Sequence, residues 1–292
     1  MTDYLFIKDY KDIEKYRLSF NQLANRIFGL DFEMWYQRGC WNDRYICYSF
    51  LHNEQVVANL SVSLMDIIHN QQLYKAVQIG TVMTDPAYRN HGLSRKLMNI
   101  VIEEYRLSCT FIYLYANKSV LGFYTKFGFT KVVEPSFSYD LPEALTGEGY
   151  YRKLNMHNEE DWSLLLKLIE SRIPVSSQYG VINAEAIFTW YCLNIFQEDI
   201  YYLKDLNVIV IYQQEDHILH LYDIVSSREV NVNELLKLLP INGVNKVMMH
   251  YHPGDLVSNM DKSYVHVEDT LFIYPIADYI HSDLKLPKIA QA

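Results

Sequence analysis

The segment LYKAVQIGTVMTDPAYRNHGLSRKLMNIVIEEY (Leu73–Tyr105) constrains the fold of this chain more than any other. Its first part, Leu73–Thr84, is rich in β-branched and apolar residues and reads as a strand. From there on, Leu93, Leu97, Ile100, Val101 and Tyr105 recur at helical spacing and predict an amphipathic helix. Between the two stand Pro86 and Gly92, which favour turns, together with Arg89, Asn90 and His91. The segment is therefore a strand, a tight basic turn and a helix. The first N–H groups of such a helix lack acceptors within it and favour an anion such as phosphate.

The chain has 292 residues, half of them hydrophobic, enough to bury the cores of two ordinary domains or one large one. No apolar run reaches the ~18 residues that a membrane span requires. The N-terminal MTDYLFIKDY carries no signal-peptide pattern. A soluble cytoplasmic protein without membrane partners is expected. The net charge of −9 argues against broad nucleic-acid binding and leaves only local basic patches, such as Arg89, Arg95 and Lys96. Cys40, Cys47, Cys109 and Cys192 lack CxxC spacing, so neither a zinc site nor a disulfide framework is indicated. His250 and His252 could share a strand face as metal ligands, but only Asp255 lies near as a third, so no metal is expected.

Apolar periodicity from Ile13 to Phe28 suggests one or two helices. Strands follow at Tyr45–Phe50 and Gln55–Ile68, joined by the polar turn HNE, and the turn HNQQ leads to Leu73–Thr84. After the helix come a buried strand at Thr110–Ala116, a short helix around Ser119–Lys126 and hairpin-like strands in FGFTKVVEPSFSYDL. LPEALTGEG (Leu141–Gly149) is the best linker candidate.

The second half repeats this order without obvious residue identity. Helical patterns at Asn158–Ile173 and Asn183–Phe196 precede strands at Ile200–Leu203, Val208–Tyr212 and Ile218–Val225. A helix at Val232–Leu239, stopped by Pro240, leads to strands at Lys246–Tyr251 and TLFIYPI (Thr270–Ile276). The pattern implies a tandem duplication at the level of fold, with domains at 1–145 and 150–292.

Three phosphate loops compete for the basic turn. The Walker A pattern is absent, and the dinucleotide fingerprint GxGxxG starts at GEGYYR (Gly147–Arg152) and fails. What remains is Arg89-Asn90-His91-Gly92-Leu93-Ser94 after Asp85-Pro86. This resembles motif A of the GNAT (Gcn5-related) N-acetyltransferases, Arg/Gln-x-x-Gly-x-Gly/Ala, with Ser94 departing from the last position. NKSVLGFYTKFGF (Asn117–Phe129) resembles the family's motif B, and it follows at the right separation of one helix and one strand.

The resemblance implies an α/β (α+β) acyl-CoA N-acyltransferase fold, a mixed, mostly antiparallel sheet flanked by helices, here in two tandem copies. It implies acetyl-CoA as cosubstrate, with its pyrophosphate on the amides of Arg89, Asn90, His91, Gly92, Leu93, Ser94 and Arg95. The pantetheine arm would lie where the Leu73–Thr84 strand splays from Thr110–Ala116, against the backbone of Val82, Met83 and Thr84. Asn117 would contact the arm, and Tyr124 would sit near the thioester sulfur as general acid. The acceptor implied is a small-molecule amine.

An alkylamine of pKa ~10.4 is only about one part in a thousand neutral near pH 7, so a proton must be removed. Asp85, Asp66 and His69 are the candidate bases, each also explicable as a strand-end cap or turn residue. For the acceptor side, LDFEMWYQRGCWNDRY (Leu30–Tyr45) offers Trp35, Trp41 and Glu33, which would suit a cationic amine or simply pack the sheet. In the second half the loop matching motif A is SSREVN (Ser226–Asn231), without glycine, and no motif B follows Tyr251. That half is expected to serve as a buttress, an acceptor-site cover or a homodimer surface. The alternatives that stay open are a different acyl donor, and a non-catalytic acyl-CoA sensor or protein-binding module.

Overall fold

The structure, a computed structural model, describes residues 3–147, 149–264, 269–275 and 283–292. The first half runs β1 (Leu5–Lys8), α1 (Glu14–Phe28), α2 (Glu33–Gln37), β2 (Tyr45–His52), β3 (Gln55–His69), β4 (Gln72–Thr84), α3 (Leu93–Tyr105), β5 (Phe111–Asn117), α4 (Leu121–Tyr124) and β6 (Thr130–Val132). The chain continues through β7 (Ser136–Leu145), β8 (Arg152–Lys153), α5 (Glu159–Glu170), β9 (Gly180–Ile182), α6 (Glu185–Asn194), β10 (Ile200–Leu203), β11 (Val208–Glu215) and β12 (Ile218–Val225). It closes with α7 (Val232–Leu236), β13 (Val244–Met249), β14 (Asp261–Ser263) and β15 (Asp269–Tyr274). Ile276, the last residue of the expected final strand, lies outside the described residues.

Two mixed sheets result. One has the order β1-β2-β3-β4-β5-β15-β6, with β9 added to β3, and the other β14-β7-β13-β12-β11-β10-β8. In the first, β4 and β5 are parallel and the remaining pairings antiparallel. In the second, β12 and β13 are the parallel pair. The register is equivalent as well. Leu114, the last β5 residue paired with β4, faces Phe272 of β15. Met249, the last β13 residue paired with β12, faces Phe137 of β7. The fold is thus the expected α/β one in two tandem copies.

One feature of the connectivity departs from the sequence reading. FGFTKVVEPSFSYDL forms no hairpin: β6 stays in the first sheet while β7 crosses to the second. Residues Leu141–Leu145 of the expected linker are part of β7. In return β15, from the far end of the chain, enters the first sheet between β5 and β6. The first sheet thus takes β15 and the short β9 from the second half of the sequence, and the second sheet takes β7 from the first, because strand periodicity marks a buried strand but not its neighbour.

Apolar packing holds each layer. Leu93, Leu97, Met98, Val101 and Ile102 of α3 are buried against Val77, Ile79, Ile112 and Leu114 of the sheet. At about 1.5–3 kcal/mol for each fully buried large side chain, this face alone anchors the helix. In the second half Leu235, Leu236 and Leu239 are each 0% exposed within the core that also holds Val247 and Tyr251. Those leucines are covered by their own sheet. Among the described residues no helix is long and apolar enough to cross a membrane.

The exchange makes a prediction. A fragment of residues 1–145 lacks β15 and carries an orphaned β7, so β5 loses its pairing with Asp269–Tyr274. It should show no cooperative thermal transition by circular dichroism. Co-expression with residues 146–292 should restore one, and a cooperative melt of the fragment alone would count against the exchange.

Candidate active site

The site begins where β4 leaves β5. The parallel register runs from Ala76↔Phe111 to Ile79↔Leu114 and stops there. Beyond it, Gly80–Thr84 stays with β3 while β5 continues alongside β15 to Asn117. A bulge opposite Asn59 and Ser61 turns the strand, and Thr81 takes a positive φ of 49°. A buried polar network supports this turn. Asn59 Nδ2 donates to Thr81 O at 2.9 Å and to Ser61 Oγ at 2.9 Å, and the Tyr45 hydroxyl bonds Thr81 Oγ1 at 2.9 Å. Ser49 donates to Asn59 Oδ1 at 2.9 Å and is itself bonded to the Tyr10 hydroxyl at 2.6 Å.

Asn59 and Ser61 escaped the sequence reading. The available signal was polar residues at every second position of an apolar strand, ANLSVSL, which marks polar groups facing inward. Buried polar side chains persist where their partners are complete.

β4 ends at the basic turn. Asp85 accepts from Ala87 N at 3.0 Å and pairs with Arg26, so this base candidate is a strand-end cap. Asn90 and Gly92 adopt φ of 66° and 75°, which folds the backbone back on itself ahead of α3. As a result, the N–H groups of Asn90, His91, Gly92, Leu93, Ser94 and Arg95 have no acceptor among the described residues. Six successive donors without acceptors among the described residues, at a helix N-terminus, form an anion cradle. Arg89, Arg95 and Lys96 are exposed and form no ion pair among the described residues, so this corner is basic within an acidic chain.

Two side chains of the loop have structural duties. Ser94 Oγ bonds Thr84 Oγ1 at 2.7 Å, tying the end of β4 to the first turn of α3. The serine that departs from motif A therefore fixes the cradle to the cleft. His91 Nδ1 bonds the Tyr4 hydroxyl at 2.5 Å inside a cluster with His52 and Tyr88, so only its backbone faces the anion site.

Tyr124 lies at the other side of the cleft. Its ring is 6% exposed and packs on Phe129 and on Phe272, 5.9 Å away, the strand partner of Leu114. This places the ring over the point where the strands part. Its hydroxyl has no hydrogen-bond partner among the described residues, and burial pushes its pKa up to about 12. Asn117 ends β5, its Oδ1 accepting from Ser119 N at 3.0 Å and Ser119 Oγ at 2.6 Å, which leaves Nδ2 free to donate.

The three acceptor candidates are placed elsewhere. Trp35 is 1% exposed, its indole donating to Ala186 O and Thr189 Oγ1, and Trp41 is 4% exposed, its indole donating to Tyr45 O. The Glu33 carboxylate is fully engaged by Arg17, Asn21 and Gln37. All three pack α1 and α2 on the sheet and on α6, and none offers a free group to an amine. Of the other base candidates, Asp66 accepts from Asn183 Nδ2 and His69 stacks on Tyr179 with ring centroids 4.2 Å apart. Both sit at the far end of β3 from the cradle.

On the face of β4 opposite α3, Gln78 and Ser63 are register partners. Gln78 Nε2 and Ser63 Oγ are buried without a partner among the described residues. Gly80 follows on the same face, with Ala292 so close that a Cβ would meet it at 2.6 Å. Among the described residues no group of three or more side chains could hold a metal ion. His250 bonds His220 at 3.0 Å, and His252 accepts from Gly254 N at 3.0 Å.

Residues 13–132 match the model of the acetyltransferase (GNAT) domain. These residues form a GNAT acetyltransferase domain. The region matched holds the splayed strands, the amide cradle and Tyr124 together. The solved structures agree on the fold. A GCN5-related N-acetyltransferase from Kribbella flavida is 18% identical, with 93% of this chain and 70% of that one covered at a TM-score of 0.58. A probable N-acyltransferase from Enterococcus faecalis is 14% identical, with 93% and 72% covered at 0.61. Eis1 from Mycobacterium abscessus is 14% identical, with 93% and 73% covered at 0.56. No curated protein matches the sequence. The GNAT domain is an acyltransferase domain, and the family draws its acyl groups from acyl-CoA donors.

The cradle predicts the effect of one substitution. Gly92 has φ of +75° and no atom within 4 Å of a built Cβ, so a side chain there strains the turn yet finds room on the solvent side. Gly92→Glu should fold, with a penalty of about 1–2 kcal/mol for the left-handed backbone. It should lose acetyl-CoA affinity at least tenfold by calorimetry, because it sets a carboxylate beside the phosphates. Unchanged affinity in a folded variant would remove the cradle from the site.

Proposed function

We propose that this protein is a cytoplasmic, acetyl-CoA-dependent N-acetyltransferase acting on the amine of a small molecule. The observation that carries the reading is the row of open amides from Asn90 to Arg95, set at the head of a cleft that leads to the Tyr124 hydroxyl. The residues fit a CoA donor. The cradle takes the pyrophosphate, the unpaired edge of Val82, Met83 and Thr84 bonds the pantetheine arm, and Asn117 Nδ2 reaches the arm from β5. The neutral amine attacks the thioester carbonyl directly, the C–S bond breaks as the Tyr124 hydroxyl donates its proton to the departing sulfur, and the proton shed by the nitrogen passes through water to restore the phenol.

A pKa of about 12 leaves Tyr124 well above a free thiol at ~8.5 and, taken alone, would make it a weak donor. The departing thiolate, however, forms in the same dry cleft. Burial pushes thiols of this chain up as well, Cys47 to about 12 and Cys109 to about 11. Desolvation acts on both groups in the same direction, which narrows the gap between donor and acceptor.

With Trp35, Trp41 and Glu33 engaged in packing, the acceptor side falls to the opposite face of β4. Residues 1–145 supply the catalytic groups, while 150–292 buttress them and contribute β15.

Tyr124→Phe keeps the ring packing and removes the proton. Turnover, read as thiol release against a panel of polyamines, aminoglycosides, amino acids and peptides, should fall by about 10²–10⁴-fold with acetyl-CoA binding little changed. Full turnover in the variant would return the acid role to water. Because the raised pKa keeps Tyr124 protonated until about 12, kcat should rise with pH as the amine is freed and show no descending limb below ~10. Calorimetric titration of the intact chain should give one acetyl-CoA per chain. Two would mean that the second copy also binds it.

A further inference from the structure

The second sheet opens as the first does. β12 and β13 pair from Ile218↔Lys246 to Leu221↔Met249 and then part. A cavity of about 640 Å³ occupies this opening, walled by Ile224, Met249, Tyr251 and Val230, by Ile173–Val175, and by Tyr139 of the exchanged strand. That volume lies in the range of small-molecule sites, ~300–1,000 Å³. Counting from the last paired residues, Ile224 stands where Val82 stands in the first copy, and Tyr251 where Ala116 stands.

The chemistry has changed along with those residues. The loop Ser226–Asn231 has no glycine, and Glu229 and Asp255 line the opening beside Arg228, so the wall carries no net positive charge for a diphosphate. The Tyr251 ring stands where the first copy has only the small side chain of Ala116. The other buried polar side chains of the wall already have partners. Ser176 donates to Gln178 O at 2.8 Å, and Ser226 Oγ accepts from Arg228 N at 3.2 Å. Tyr139, half-buried, donates to Asn233 Oδ1 at 3.0 Å. Tyr251 differs. It is 3% exposed, lines the cavity, and its hydroxyl has no hydrogen-bond partner among the described residues.

A buried hydroxyl left without a partner is costly, while the same group facing an apolar cavity awaits an acceptor. We propose that this cavity is a second binding site, specific for uncharged apolar molecules that bear a carbonyl, the Tyr251 hydroxyl donating to that carbonyl. Burial holds the tyrosine in its protonated, donating form throughout the physiological range. A carboxylate ligand is disfavoured by Glu229 and Asp255.

The test uses the full chain, N-benzylhexanamide as the neutral amide and 6-phenylhexanoate as the anion of similar size. Saturating acetyl-CoA is present throughout to keep the first cleft occupied. Ligand-observed NMR titration should show saturable amide binding, at least tenfold weaker for the carboxylate. Tyr251→Phe should weaken amide binding about five- to tenfold, the loss of one hydrogen bond, without moving the melting temperature. Val230→Trp, at the mouth of the cavity, should abolish it. No saturable amide binding, equal binding of the carboxylate, or binding indifferent to both substitutions would each overturn the proposal. Because the readout is amide binding at Tyr251 and not turnover, its failure is separate from any failure of the acetyltransferase reading.

Discussion

The parting of β4 from β5 after Ile79 and Leu114 is the constraint on which the rest of the site depends. Two parallel strands of a sheet normally stay together, because separating them strips backbone groups of their partners. Here both strands are held from their outer sides. β15 pairs with β5 from Ile112 to Asn117, and β3 holds β4 through a bulge fastened by Asn59 and Tyr45. The groups left over in the gap are those an extended ligand can satisfy, by the same bonds a strand would make.

This arrangement gives the strand exchange a functional meaning. β15 is at once the outer support of β5 and the carrier of Phe272, against which Tyr124 packs. The second half of the chain therefore builds part of the cleft although it holds neither motif. β7 performs the same service in return, presenting Phe137 opposite Met249. The buried indole of Trp35, donating to Ala186 and Thr189 of α6, joins the halves a second time. Neither sheet is complete without the other half, which couples the stability of the cleft to the whole chain.

What the sequence disclosed follows from how local each feature is. The cradle is encoded in a few neighbouring residues, Arg89 to Ser94, whose backbone angles depend on glycine and asparagine, and it was legible. The same holds for Tyr124, set between Phe123 and Gly128 on one short turn. The order of strands in both halves was legible from periodicity. The exchange of β7 and β15 was not, since Phe137 and Phe272 look alike to any local pattern and only the finished sheets distinguish them. The roles of Trp35, Trp41 and Glu33 were misplaced for a related reason. Aromatics beside a carboxylate describe a cation site and a well-packed helix equally well, and long-range partners such as Arg17 and Ala186 decide between them.

The two copies show how one scaffold can part ways in chemistry. The openings are the same to within a register pair, so the backbone does not determine what enters. In the first copy the flanking positions are small: Gly80 lets Ala292 approach closely, and Ala116 stands beside the parting strands. In the second copy the corresponding positions are Tyr222 and Tyr251. Tyr222 stacks on His250 with ring centroids 4.2 Å apart, at the position where Gly80 admits Ala292 in the first copy. Tyr251 adds a ring and a hydroxyl to the opening. Loss of glycine from the loop removes the turn that would expose successive amides, and with it the attraction for phosphate. Once the anion site is gone, selection on the opening for a long thioester arm has no physical basis, and aromatic residues that strengthen the core can occupy it. The cavity that survives is the space those side chains do not fill.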